Sequence, residues 1–407
     1  MRTFMPRSFG MHANQVLNEV DAGSSGTHCS SLNSTNASLT LECARKYTDI
    51  YDGIVTVLHR DHPQLQFTGL VLAMPDCADA EIWLRYFLNA SNHRSPVRED
   101  LSSFLHEISY HWYSENGFTY IHDKNPPPVG NWATVAANPA DVFMQSAQFL
   151  VSARRIQGLI QEYLPTRVAG TNKLRIFCNE IGVLAPDPPR SVEPFGRDRW
   201  WWNLEASQFA YVYASLAALG VDAMAASQLT VRATTMACGF ISACLMRQGY
   251  PGNAASISMV DWTTGQGDAW FWVVKMFIDT LGSGPKNVHP TLVNGAPSDT
   301  TVRAVEPERW TCVHSMSTRA VAEAHVEPVF AQALTVHAAG GEGKRVVILA
   351  NTRNCSAEVT VPGAAGGRLR AVDPEAGFAA TPYRDAQMTS DTLVLGGFAA
   401  ALVVLGE

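Results

Sequence analysis

A chain of 407 residues, 46 % hydrophobic and only 16 % charged, is long enough for one large core plus a smaller domain. A formal net charge of −7 and the absence of any long Lys/Arg run exclude the concentrated basic face that nucleic acid requires, so a neutral or mildly polar partner is expected. No apolar run reaches the ~18 to 20 residues of a membrane span, and the opening MRTFMPRSFG lacks the apolar core of a signal peptide.

Residues 1 to 13 carry no clear pattern, and the first strand signal is Gln15 to Leu17, leading into Asn18 and Glu19. Ala22 to Thr40, rich in Ser, Thr, Asn and Gly, reads as a surface loop. A helix is expected from about Leu41 to His59 on the spacing of Tyr47, Ile50, Ile54 and Leu58. A buried strand follows over Leu65 to Ala73, then a helix over Asp79 to Asn89. Ser102 to Tyr113 alternates in part and is aromatic, which favours a strand ending in His111, Trp112 and Tyr113. A long loop holds Pro126, Pro127, Pro128 and Gly130.

Asn138 and Pro139 then begin a helix, and Val142, Phe149, Ala153, Ile156, Ile160 and Tyr163 keep its spacing until Pro165 stops it. Leu174 to Gly182, LRIFCNEIG, reads as a buried strand that delivers Glu180 at its end. Beyond a loop with Pro186, Pro188 and Pro189, a helix runs from about Leu204 to Leu219 and is closed by Gly220. Asp222 to Thr230 makes a further strand, a loop carries VDWTTGQGDAW, and a last helix covers about Ala269 to Leu281. Strand and helix therefore alternate, which implies a parallel α/β sheet over residues 1 to 300. After about residue 300, VVILAN, AEVTVP, LRAVD and TLVLGGFAAALVVL are β runs between Gly- or Asp-containing turns, expected to form an antiparallel β-sandwich over 301–407.

Two Asn-Glu pairs stand out, Asn18-Glu19 and Asn179-Glu180, each after an apolar strand. Parallel barrel strands point their carboxyl ends at one face, so glutamates far apart in sequence can converge there. Cleavage of a glycoside with retention needs two carboxyl groups ~5 to 5.5 Å apart, one to protonate the leaving oxygen and one to attack the anomeric carbon. Taken singly, each Glu is as well read as a surface residue at a strand-to-loop junction. Asn18 can hold a sugar hydroxyl next to the reacting carbon, His111 can hydrogen-bond the nucleophile, and Trp262 and Trp112 offer flat faces for a pyranose. Gln228, at the end of the last barrel strand, is a weaker candidate. The plain alternatives are a core histidine at His111 and a packing residue at Trp112.

LNEVDAG with Glu19, SYHWY with His111, FCNEIG with Glu180 and VDWTTGQGDAW with Trp262 resemble a retaining glycoside hydrolase of the clan A (β/α)8 superfamily. Within that clan the chain most resembles the β-xylosidase and α-L-iduronidase type, which carries a C-terminal β-sandwich. The resemblance covers roughly residues 15 to 407. It implies a TIM barrel, Glu19 as acid/base at the end of strand four, Glu180 as nucleophile at the end of strand seven, and His111, Tyr113 and Trp262 lining the sugar subsite. It implies a carbohydrate substrate and no metal or other cofactor. Only 18 residues precede Glu19, whereas three strand-helix units would need about 90 at ~30 residues each. The visible alternation is therefore expected to be strands four to eight of an N-terminally truncated barrel. The rival expectation is a catalytically impaired carbohydrate-binding or structural protein derived from such an enzyme.

Asn33, Asn36, Asn89 and Asn354 each begin an N-glycosylation triplet, which points toward the secretory pathway. The eight cysteines are scattered without a CxxC; most are expected to be small buried residues, with Cys29 to Cys43 or Cys77 as candidate bridges. GGEGKR, Gly340 to Arg345, has Arg where a phosphate loop has Ser or Thr, and it reads as a hairpin turn. His59 and His62 lack a third ligand for a metal. Trp200, Trp201 and Trp202, just before a helix, read as packing residues.

Overall fold

A computed structural model describes residues 3–4, 13–22, 29, 31, 36–115, 139–170, 172–184, 199–230, 258–260, 265–282, 286–289, 292–293, 296–297, 329–337, 343–376 and 382–406. In chain order the first elements are β1 (Thr3–Phe4), β2 (Ala13–Gln15), α1 (Ala37–Asp61), β3 (Gln66–Leu72), α2 (Ala78–Phe87), α3 (Leu101–Phe104) and β4 (Glu107–Glu115). They continue with α4 (Pro139–Tyr163), β5 (Arg175–Leu184), α5 (Arg199–Leu219), β6 (Ala223–Ala226), β7 (Gln228–Thr230), β8 (Ser258–Val260) and α6 (Ala269–Leu281). The remaining strands are β9 (Lys286–His289), β10 (Leu292–Val293), β11 (Ala296–Pro297), β12 (Val329–His337), β13 (Gly343–Asn351), β14 (Ala357–Thr360), β15 (Arg368–Val372), β16 (Arg384–Gln387), β17 (Thr392–Leu395) and β18 (Ala400–Val404).

Strands β2, β3, β4, β5 and β6 form one sheet in sequence order, parallel at every pairing, with a helix between each pair of neighbours. That arrangement is a partial (β/α) barrel. Asn36 caps α1, its Oδ1 accepting from the backbone N–H groups of Ser38 and Leu39. The buried stripe of α1 is Cys43, Ala44, Tyr47, Tyr51 and Val55. The expected stripe through Ile50, Ile54 and Leu58 is corrected by one position, because Tyr47 and Tyr51 reach deeper and those three aliphatics lie at the half-buried edge. In α4, Val142, Phe149, Ala153, Ile156 and Ile160 are buried as their spacing predicts.

Two expectations about strands change. Ser102 to Phe104 belong to a helical turn capped by Asp100, whose Oδ1 accepts from the Ser103 N–H at 3.3 Å, so the strand begins only at Glu107. Asp222 to Thr230 is two strands, β6 in the parallel sheet and β7 paired with β8 in a sheet of its own. The tryptophan cluster sits inside α5, with Trp202 buried.

Helix α5 is buried nearly all round because it lies between the two sheets. On one side it packs on β5 and β6, on the other on β12, β13 and β18. Tyr211 meets Phe330 edge-on at 4.9 Å, and the Ser207 hydroxyl donates to the Asn351 carbonyl at 2.8 Å. The C-terminal sheet runs β1-β9-β12-β13-β18-β15-β16, antiparallel throughout. Along β13, Val346, Ile348 and Ala350 face the core shared with α5, while Val347 and Leu349 face a second core with Val359, Leu393 and Leu395 of the β14–β17 pair. This period of two is why the VVILAN run reads as a strand buried on both faces. Strands β12 and β13 pair as far as His337 opposite Gly343, so the second half of GGEGKR, Gly343 to Arg345, belongs to β13, and the hairpin turn expected before it falls on residues 338–342, outside the described set.

Of the two bridges considered for Cys29, the one to Cys43 is formed, and Cys77 is disulfide-bonded elsewhere. Among the described residues, no helix is long and apolar enough to cross a membrane.

Candidate active site

The two Asn-Glu pairs meet on the inner face of the parallel sheet, one just beyond β2 and one in the middle of β5. The alternation along β5 explains how Glu180 comes to face inward. Ile176 and Cys178 are buried on the helix side of the sheet, but the next buried residues on that side are Ile181 and Val183, so the period slips by one. Both neighbouring strands record the same slip. Tyr110 pairs with Cys178 and His111 with Glu180, while on the other side Cys178 pairs with Met224 and Ile181 with Ala226. Strand β5 therefore carries a one-residue bulge at Asn179–Glu180, a device that re-aims a side chain beside a site. It also shows that Glu180 lies within the strand, which continues to Leu184, and not at its end.

Strand β4 presents His111 and Tyr113 on the inner face, and Tyr110 and Trp112 on the outer. Trp112 stacks on Phe149 of α4, ring centroids 4.6 Å apart, and is buried in the helix-facing core. It is a packing residue, which removes it as a sugar platform. His111 is fully buried, with Nδ1 3.1 Å from Glu19 Oε1 and 3.3 Å from Glu180 Oε2. The Tyr113 hydroxyl donates to Glu180 Oε2 at 2.6 Å and lies 2.5 Å from Ser227 Oγ. Burial, and then the negative charge of Glu180, hold the Tyr113 phenol well above its ordinary range, so it stays protonated and acts as a donor.

Glu19 reaches the site in a different way. It lies beyond β2 on a turn where Leu17 has φ 66° and Glu19 φ 46°, left-handed conformations that cost ~1 to 3 kcal/mol each for a residue with a side chain. The turn is tied to β3 by Val16 N–H to the Thr68 carbonyl and Val20 N–H to the Val71 carbonyl, both 3.1 Å. Asp21 completes the hold: its carboxylate accepts from the backbone N–H of Ala73 at 2.7 Å and of Met74 at 3.3 Å. Burial raises the Asp21 carboxyl to about 6, against these backbone donors, with Glu19 adding to the rise. Behind it, burial and then Asp21 raise the Asp79 carboxyl to about 7. Ser31 donates to Asp79 at 3.1 Å and receives the Trp83 indole N–H at 2.8 Å.

Asn18 is exposed, and its Oδ1 accepts from Gln15 at 2.7 Å; Gln15 in turn accepts from Asn179 at 3.3 Å. The asparagines of the two pairs are thus linked through one glutamine. Gln228 lies in β7, outside the sheet that carries Glu180; its side chain and Trp262 lie outside the described residues. Sequence reasoning missed Ser227, Asp21 and Gln15. Ser227 and Asp21 carried a signal, since each stands within two residues of a residue already singled out, but nothing in the sequence says which strand end it would meet.

No protein-family model and no curated protein matches the chain. Among solved structures it is similar to AbfB, a family 51 alpha-L-arabinofuranosidase from Bifidobacterium longum, with TM-score 0.52 and 13 % identity over 97 % of this chain and 67 % of that one. Cel44A, a family 44 endoglucanase from Clostridium thermocellum, gives TM-score 0.49 at 11 % identity, over 97 % and 66 %. A family 44 xyloglucanase from Paenibacillus polymyxa gives 0.48 at 11 %, over 98 % and 66 %. The chain spans about two thirds of the length of these structures. At such identities the likeness is one of fold alone, and of these three the first carries it: the chain shares the overall fold of that arabinofuranosidase.

Proposed function

We propose that this protein is a retaining glycoside hydrolase, in which the visible strands β2 to β6 correspond to strands four to eight of a (β/α)8 barrel. One observation supports this above the others: a carboxylate oxygen of Glu19 and one of Glu180 come within 4.8 Å of each other. Retaining enzymes hold their carboxyl groups ~5 to 5.5 Å apart, and inverting enzymes ~6.5 to 9.5 Å apart to admit a water.

Glu180 is the nucleophile. With Oε2 engaged by Tyr113, Oε1 is the oxygen that attacks the anomeric carbon. Glu19 donates a proton to the departing glycosidic oxygen, then takes one from the water that hydrolyses the glycosyl-Glu180 ester. Tyr113, itself placed by Ser227, holds the nucleophile's carboxylate plane, and His111 spaces the two glutamates. Asn18 hydrogen-bonds a sugar hydroxyl beside the reacting carbon, with Gln228 and Trp262 completing the subsite. The substrate is a poly- or oligosaccharide or a small glycoside, and the exposed Asn36 and Asn354 fit a protein that passes through the secretory pathway.

The test is hydrolysis of a panel of aryl α- and β-glycosides by the wild type, Glu19→Ala and Glu180→Ala, with the first-formed anomer followed by proton NMR. The expected outcome is retained configuration and loss of turnover in both variants. Activity that survives Glu180→Ala removes the nucleophile assignment, and an inverted first product removes double displacement. Sugar binding without any turnover favours a carbohydrate-binding protein that has lost catalysis.

A further inference from the structure

We infer that the same three side chains form a site for a borderline-soft divalent cation from solution, with Zn²⁺ the best match, and that its binding silences the enzyme. Ligands held ~2.0 to 2.2 Å from a tetrahedral zinc lie ~3.3 to 3.6 Å from one another. His111 Nδ1 stands 3.1 Å from Glu19 Oε1 and 3.3 Å from Glu180 Oε2, and all three atoms lie within 4.8 Å of each other. The two edges from His111 already match this triangle, and the third, between carboxylate oxygens within 4.8 Å of each other, closes by rotation of the two part-exposed glutamate side chains, by about an ångström at most.

The chemistry of the set agrees. One imidazole nitrogen carries at most one hydrogen, so Nδ1 cannot donate fully to both carboxylates, whereas a cation in its place engages all three groups and offsets both negative charges. One nitrogen and two oxygens are the donor mix zinc accepts with a fourth position open. Both glutamate side chains are about one third exposed, 31 % for Glu19 and 32 % for Glu180, so the fourth position faces solvent. The His111 ring is fixed by complete burial, and its Nε2 has no hydrogen-bond partner among the described residues, so no second contact commits the tautomer against metal at Nδ1. The cation enters as an inhibitor that competes for the two catalytic oxygens, not as a cofactor of the reaction.

Binding does not depend on the glycosidase reading, but inhibition rests on it, and the test separates the two. Calorimetric titration with zinc chloride is made in a Cys355→Ser background, which removes an exposed thiol that would bind the metal on its own. The expected result is one saturable site, at least ~10-fold weaker in Glu19→Gln and Glu180→Gln, a loss that even outer-shell changes reach. These two variants preserve shape; His111→Ala is read only where circular dichroism shows a native fold. In the wild type, Zn²⁺ should raise KM for an aryl glycoside and leave kcat unchanged, with EDTA restoring activity. Absence of a saturable site, or affinity unchanged in both Gln variants, overturns the proposal. Tight binding lost in the variants, with no turnover of any glycoside, upholds the metal site and sinks the glycosidase reading alone. Binding at the site with no effect on turnover overturns the inhibition.

Discussion

Glu180 and Glu19 carry the same dipeptide signature but are held by opposite means. Glu180 is fixed inside a ten-residue strand by hydrogen-bonded ladders on both sides, and a single bulge sets its direction. Glu19 stands on a strained turn beyond a three-residue strand, held by Asp21, by two backbone hydrogen bonds to β3 and by the neighbouring loop that the Cys29–Cys43 disulfide ties to α1. A ladder position is over-determined, since many bonds must break before it moves. A turn position is only as firm as its few anchors. The difference predicts that the Glu19 side of the site is the fragile one, and that remote changes reach Glu19 before they reach Glu180.

The largest effect tests the chemistry at both ends. Glu180→Gln should lower kcat on aryl glycosides on the order of 10⁴-fold or more. Glu19→Gln should lower it by ~10² to 10⁴-fold, with a milder loss on substrates whose leaving group needs no protonation. Equal losses on activated and unactivated substrates would contradict the division of roles.

Next comes the anchor. Asp21→Ala removes the acceptor for two backbone N–H groups and should cost on the order of 10²-fold in kcat through misplacement of Glu19. Its signature is again a penalty concentrated on poor leaving groups, because Glu180 keeps its ladder. A uniform loss across leaving groups would mean that Asp21 acts on the whole fold and not on the turn.

Removing the disulfide by Cys43→Ser opens a loop of about 15 residues and should lower stability by about 3 kcal/mol, read from chemical denaturation. Turnover of an activated aryl glycoside at low temperature should change little. A collapse of that turnover would show that the loop contributes to the nucleophile's side as well.

The smallest effect is pH-dependent. The Asp79 carboxyl is raised from the ordinary 3.8 to about 7, so between about pH 4 and pH 7 the folded chain holds a proton that the unfolded chain releases. Stability is therefore greatest below the unfolded value and declines as pH rises through about 7; Asp21, raised to about 6, adds in the same direction. Asp79→Asn should raise stability at pH 8 by on the order of 2 kcal/mol and have little effect at pH 4. A gain of equal size at both values would rule out titration of Asp79 as the source.

Much of this was legible in the chain itself. The bounds of α6, Ala269–Leu281, follow from Asp268 as its cap and Gly282 at its end, both local signals. The buried face of α4 and the alternation along β13 follow from period alone, because a helix or strand must place its apolar residues on one side. Even the bulge is written in β5, since Ile176, Cys178, Ile181 and Val183 step by two, three and two. What period cannot give is a partner. That His111 stands between the two glutamates, that Tyr113 meets Ser227, and that Asp21 reaches the end of β3 depend on register between segments 52 to 114 residues apart, and only the assembled sheet fixes them. Trp112 makes the same point in reverse: its sequence neighbourhood suits a sugar platform, but its position in the alternation turns it onto Phe149. The sequence determined that one carboxylate would follow a first parallel strand and another would ride on a later one. Tertiary structure decided how each is held, because local propensities act within an element and register acts between them.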